Sequence, residues 1–269
     1  MLSRPLTLVL RYRPISLAPL LWRSMVNEVL KQAAPGWVAP DARVYAIGDV
    51  HGCAGRLADL HRLVAADLAA DPVARPVLVH VGDYIDRGRD SAEVVRMLSS
   101  GPVLPGVPTT NLRGNHEQMM LDALTGDGQR IAHWLDNNAE ATLRSWGTSS
   151  RQPVSEWRAA LTPLDHAFLN GLPFHHEIDG YLFVHAGLRP GIVFDRQTEE
   201  DMLWIREAFL DWDGKILPER PSLAIVHGHT PEPRPTVAAH RIGIDTGAVK
   251  GGPLTCAVLE GRTVRFLFA

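Results

Sequence analysis

Cysteine is scarce in this chain of 269 residues; Cys53 and Cys256 are the only two. Two thiols cannot build a disulfide framework or a thiolate zinc site. Their scarcity fits a reducing compartment, and a cytoplasmic location is the expectation. Positive charge is also in short supply. Lysine and arginine number 27 against 30 acidic residues, a formal net charge of −3. That speaks against a nucleic-acid partner, which needs a basic surface. No apolar run reaches the roughly 18 residues of a membrane span, so no transmembrane segment is expected. Internal repeats and low-complexity tracts are missing as well.

What remains, 45% hydrophobic and 21% charged, suits one large globular domain with a sizeable core. The first forty residues differ in character, which divides the chain into an N-terminal arm over 1–40 and a main domain over 41–269. In the arm, Leu8, Val9, Leu10, Leu20, Leu21 and Trp22 are broken by Arg4, Arg11, Arg13, Pro14 and Arg23. Arg11 and Arg13 interrupt the apolar stretch that a secretory signal requires. The arm reads as a mobile segment or a helix docked on the domain or on a neighbouring subunit. The alternatives are a membrane-surface helix, which arginine and tryptophan suit, and a true start at Met25. Self-association or surface attachment are the roles it suggests.

Within the main domain, Arg43–Ile47, Val77–Val81 and Thr109–Leu112 read as strands. Leu57–Leu68 and Ser91–Leu98 between them carry apolar residues at helical spacing. This βαβαβ order predicts a parallel sheet. Glu117–Gly147 and Ser155–Asn170 read as helices that form a cap packed on Trp134, Trp146 and Trp157, or a wall facing the substrate. Asp179-Gly180 predicts a hairpin joining Phe174–Ile178 to Tyr181–His185. The end is β-rich, with Leu223–His227, Arg241–Ile244, Leu254–Leu259 and Val264–Phe268, and Glu260-Gly261 as the final turn. The expected fold is α/β, two sheets with helices outside them.

Five motifs begin where predicted strands stop: GDVHG (Gly48–Gly52), GDYIDRG (Gly82–Gly88), RGNHE (Arg113–Glu117), HAG (His185–Gly187) and GHT (Gly228–Thr230). Open α/β sheets place ligands at those strand ends. The motifs supply Asp49, His51, Asp83, Asn115, His185 and His229, enough oxygen and nitrogen donors for two adjacent divalent metal ions. Any one of them alone could be a turn former or a core histidine; six in such positions make a constellation. The central Asp83 is the expected bridge, since a carboxylate has two oxygens. Imidazole, carboxylate and amide donors suit manganese, iron, zinc or nickel. A metal pair would acidify a shared water and polarise phosphoryl oxygens, so hydrolysis of phosphate esters by a metal-bridging hydroxide is the expected chemistry.

Asp86 and His116 stand beside these ligands. An attack on phosphorus needs an acid for the departing oxygen, and histidine is poised for that near neutrality. Asp86 would orient it; the alternative for His116 is a third metal ligand. Arg87 and Arg113 flank the site and suit phosphate oxygens. Arg206 is a third candidate, with a surface salt bridge as its alternative.

These motifs, with RGNHEQMM (Arg113–Met120), HW (His133–Trp134), GHTP (Gly228–Pro231) and IDTGAV (Ile244–Val249), resemble the phosphoprotein phosphatase family of metallophosphoesterases. The likeness is to bacterial and phage lambda-type members and runs from about Val44 to the C-terminus. It implies a four-layer sandwich of two mixed β-sheets flanked by helices, often assayed with manganese. It assigns Asp49, His51 and Asp83 to one metal, and Asp83, Asn115, His185 and His229 to the other. It makes Asp86 and His116 the acid pair, and Arg87, Arg113 and Arg206 the phosphate arginines. The implied activity is hydrolysis of phosphoserine or phosphothreonine, with phosphotyrosine a further possibility, in a phosphorylated protein or peptide. The alternative is a symmetrical dinucleoside tetraphosphatase or another nucleotide phosphohydrolase. Such enzymes typically carry alanine where this chain has Asp86, and GNHD in place of GNHE. A non-catalytic scaffold on the same fold would show lost ligands, and none is lost.

Overall fold

A computed structural model describes residues 31–269. The arm's residues 1–30 lie outside the described residues. Its last part does not: β1 (Gln32–Ala33) pairs antiparallel with β11 (Thr263–Phe268), and Val38 is buried between the sheets. Residues assigned to the arm by composition thus contribute a strand to the sheet edge. Backbone pairing, to which composition is blind, recruits those residues.

The expected βαβαβ unit follows as β2 (Ala42–Ile47), α1 (Ala54–Ala70), β3 (Arg75–His80), α2 (Ser91–Ser99) and β4 (Thr109–Asn111). Its strands pair in parallel. The helical region resolves into α3 (Asn115–Ala123), α4 (Gly128–Asp136), α5 (Glu140–Ser145), α6 (Val154–Ala160) and α7 (Pro163–Gly171). Left-handed Gly126 and Asn138 break the first long stretch, as such residues do beyond helix C-termini. The chain then forms β5 (His175–Ile178), β6 (Tyr181–Val184), α8 (Glu199–Trp204), α9 (Glu207–Leu210), β7 (Ala224–His227), β8 (Thr236–Val237), β9 (Arg241–Gly243) and β10 (Thr255–Glu260). Asp179-Gly180 turns the β5–β6 hairpin as expected. The final hairpin turns on Gly261-Arg262, one residue later than expected, because Glu260 pairs across to Thr263.

Among the described residues, one mixed sheet has the order β1-β11-β10-β2-β3-β4 and the other β5-β6-β7-β9-β8. Alternation along the strands builds the layers. Val44, Ala46, Ala257, Leu259, Tyr181, Phe183, Ala224 and Val226 face one another between the sheets. Tyr45, Ile47, Cys256 and Val258 point the other way, onto α1, α2 and the cap. Leu182, Val184 and Ile225 pack on α8 and α9. Helix, sheet, sheet, helix is the four-layer sandwich. No helix among the described residues is long and apolar enough to cross a membrane.

Deleting residues 1–30 should leave the activity per folded chain unchanged, since every site residue lies downstream. Deleting through Ala34 removes β1 from the sheet edge and should lower the thermal midpoint. Equal midpoints for the two deletions would show that β1 adds nothing.

Candidate active site

The carboxyl ends of β2, β3, β4, β6 and β7 meet on one rim. There Asp49, His51, Asp83, Asn115, His185 and His229 are all buried. Two glycines allow the close approach. A Cβ on Gly114 would collide with the Asp83 carboxylate, and one on Gly228 with the Asp49 carboxylate. Seven non-glycine residues among the described ones adopt positive φ, and five belong here: His51 (43°), Asp83 (52°), Asp86 (69°), Arg87 (66°) and His229 (66°). Strained backbone of this kind persists where the surroundings hold it, typically at functional sites.

Asp83 divides the donors into two groups. Its Oδ2 lies 3.3 Å from His51 Nε2 and 3.9 Å from His116 Nε2. Its Oδ1 lies 3.4 Å from His185 Nε2. Asn115 Oδ1 is 2.9 Å from His185 Nε2 and 3.0 Å from His229 Nδ1. Asp83, His51 and His116 form one cluster able to hold a cation, and Asp83, His185 and His229 another. Asp49 is in neither three-residue cluster; its carboxylate accepts the His229 backbone N–H at 3.0 Å.

The imidazoles are set up as lone-pair donors. His51 Nδ1 donates to the Ile85 carbonyl at 2.8 Å, and His185 Nδ1 to the Val81 carbonyl at 2.9 Å. Each therefore turns an unprotonated Nε2 inward. Burial pushes His51 down to about 3 and His229 down to about 2, and lowers His185 too. All three are neutral at pH 7. His116 goes the other way. Burial opposes its charged form, but Asp83 and the hydrogen-bonded Asp86 outweigh that and raise its pKa. Its Nδ1 donates to Asp86 Oδ2 at 2.6 Å.

Two divalent cations fit this rim. Two clusters of buried donors, Asp83 with His51 and His116, and Asp83 with His185 and His229, each lie close enough to hold one. Asp49, Asp83 and Asp245 crowd together; burial, then Asp245 and Asp83, drives Asp49 well above the usual carboxylate range. Such a concentration of carboxylates calls for cationic charge.

The arginines separate. An Arg87 Nη1 touches His51 Nε2, and Arg206 Nη1 donates to Thr230 Oγ1 at 2.9 Å. Both stand at the rim. Arg113 points elsewhere. Its guanidinium donates to Gln118 Oε1 at 2.9 Å and to the Asn170 carbonyl at 2.8 Å, and lies over the Phe174 ring. The structure thus does not bring the expected phosphate arginine Arg113 together with Arg87 and Arg206. The free carbonyls ending α7 are attractive acceptors for a cation, and they hold it against the cap.

Three residues went unassigned at the sequence level. Glu117 accepts the backbone N–H groups of Gly114 (2.9 Å), Asp83 (3.0 Å), Tyr84 (2.8 Å) and Ile85 (3.2 Å), tying two ligand loops together. Asp245 follows β9 as the other ligands follow their strands, and burial, with Asp83 nearby, pushes it up to about 6. That strand-end position in IDTG was the available signal. Trp204 sits edge-on to His229, with ring centroids 6.1 Å apart. It lines a cleft of about 530 Å³ with His133, Met119, Leu203, Asp122, Glu199 and Glu200.

A two-sheet α/β sandwich with paired buried donor clusters at its strand ends defines a metal-dependent phosphoesterase. The chain belongs to the calcineurin-like phosphoesterase family, whose sequence profile matches residues 42–260. Membership implies a dinuclear divalent metal centre. Serine/threonine-protein phosphatase 1 of Salmonella typhimurium is 32% identical over 224 residues, covering 81% of this chain and 92% of that protein. The asymmetrical bis(5′-nucleosyl)-tetraphosphatase PrpE of Halalkalibacterium halodurans is 27% identical over 229 residues, covering 78% and 87%. A crystal structure assigned only provisionally as a diadenosine tetraphosphatase shares the fold at TM-score 0.59 and 24% identity, covering 88% of this chain and 98% of that one.

Proposed function

We propose that this protein is a phosphomonoesterase that releases phosphate from phosphoserine and phosphothreonine, and from phosphotyrosine, in proteins or peptides. The carrying observation is the dry Asp86–His116 pair, whose free Nε2 faces the donor clusters beside Asp83. An alkoxide leaves poorly without a proton, so a positioned acid is most useful for serine and threonine esters. Asp83, which belongs to both donor clusters, would be shared between two cations. Asp49, His51, Asn115, His185 and His229 would supply the other ligands. Manganese is the proposed metal, with iron, zinc and nickel as the other candidates for these donors. Bound there, the cations supply an acidified water and Lewis acidity toward phosphoryl oxygens. Arg87 and Arg206 take the phosphate oxygens, and His116 protonates the departing oxygen.

The second proposal is nucleotide hydrolysis, favoured by the PrpE likeness. That relative is of the asymmetrical kind, so the alternative shifts from symmetrical to asymmetrical cleavage. Two observations weigh against it. A nucleoside phosphate is already a good leaving group and has little use for the acid pair. The cleft beside His229 is lined by Asp122, Glu199 and Glu200 with no lysine or arginine among its lining residues, an unfavourable seat for a tetraphosphate.

Chelation should abolish hydrolysis of p-nitrophenyl phosphate, and manganese should restore it. Manganese-loaded enzyme should then favour phosphoserine peptides over diadenosine tetraphosphate in kcat/KM, measured side by side. Faster cleavage of the tetraphosphate would overturn the leading proposal in favour of the second.

A further inference from the structure

Asp86 has no contact with solvent, yet neither of its oxygens is left to His116 alone. Trp134 Nε1 donates to Oδ2 at 2.9 Å, beside the His116 contact on the same oxygen. Thr142 Oγ1 donates to Oδ1 at 2.6 Å, and the Asp86 backbone N–H returns a bond to that hydroxyl at 2.8 Å. Asp86, Trp134 and Thr142 are all fully buried, so bulk solvent does not compete for either oxygen. Both residues come from the cap, Trp134 from α4 and Thr142 from α5.

We infer that Trp134 and Thr142 are positioning residues for the acid step. An indole N–H can only donate, so it accepts nothing that would turn the carboxylate away. With both oxygens pinned, Asp86 fixes the His116 ring with Nδ1–H toward itself and Nε2 toward the leaving group. Trp134 is wedged edge-on against Trp157, with centroids 6.0 Å apart, which holds the indole at its angle. Helix α4 also has an outer side. His133, the preceding residue, faces Trp204 across the cleft at 5.8 Å. One helix thus lines the substrate cleft with one residue and holds the acid with the next. The cap is both packing and substrate wall.

This inference rests on His116 as the proton donor. The test compares Thr142→Val, Thr142→Ser and Trp134→Phe, each with and without His116→Asn, on phenyl phosphate and p-nitrophenyl phosphate. Bound metal and the urea midpoint are recorded for every variant. Thr142→Val and Trp134→Phe should each lower kcat on phenyl phosphate by about 10- to 100-fold, the loss of one bond to a charged group. KM should stay unchanged, and the loss should be smaller on p-nitrophenyl phosphate, the better leaving group. Thr142→Ser should restore the rate. On the His116→Asn background neither substitution should cost more, because the step they serve is gone. A folded, metal-replete Thr142→Val with equal losses on both esters would overturn the inference. So would full activity, or a further loss on the His116→Asn background. Should Trp134→Phe fail to fold, the threonine pair decides alone. Loss of metal in His116→Asn would instead sink the underlying acid assignment, and the inference with it.

Discussion

Asp83→Asn should leave the chain folded, bind less than half the metal of the wild type, and lose turnover by roughly 10³-fold or more. Two contacts set the expectation. The Asp83 oxygens split, Oδ2 toward His51 at 3.3 Å and Oδ1 toward His185 at 3.4 Å. Among the described residues, Asp83 alone belongs to both candidate clusters. Asparagine keeps the shape but offers one neutral oxygen and an N–H₂ that repels a cation. Both sites should suffer from the one change. Cys53→Ser is the control, because the thiol follows the His51 loop and makes only a long hydrogen bond among the described residues, to the His51 carbonyl 3.7 Å away. Metal per chain, measured on dialysed protein, should fall in the first variant and hold in the second. Equal contents would refute the bridge.

Strand ends explain why so much of this site could be read from sequence. β2, β3, β6 and β7 are apolar runs closed by glycine-bounded motifs, so a local pattern marks both the strand and the ligand that follows it. The same logic reaches Asp245, which follows β9, but that strand has three residues and little periodicity to announce it. β1 and β8 have two residues each and exist only through their pairing with β11 and β9. Direction is harder still. Arg113 and Arg87 both flank ligand loops in sequence, yet one guanidinium reaches His51 and the other swings to the end of α7. No local rule distinguishes them, because the deciding acceptors lie 56 and 57 residues away. Glu117 illustrates the opposite case. It stands inside the RGNHE motif, but its four backbone donors come from two loops that only the folded sheet brings together.

The most demanding expectation concerns His116, for which the geometry offers two roles. Its Nε2 is 3.9 Å from Asp83 Oδ2, within the cluster that includes His51, which suits a metal ligand. Its Nδ1 is bonded to Asp86 at 2.6 Å and its pKa is raised, which suits an acid. Neutral His51, His185 and His229 are depressed by the same burial, so His116 differs from them in the property an acid requires. The acid role predicts that His116→Asn retains its metal and loses about 10²–10⁴-fold in turnover of a phosphoserine peptide. An alkoxide needs the proton in the transition state, whereas p-nitrophenolate scarcely does. The loss on p-nitrophenyl phosphate should therefore be markedly smaller. A ligand role predicts a different pair of results, metal release and a similar loss on both esters. Metal analysis and the two rates, taken on the same preparation, separate them. Retained metal with unequal losses establishes His116 as the acid; released metal with equal losses makes it a ligand and leaves the departing oxygen to be protonated by another group.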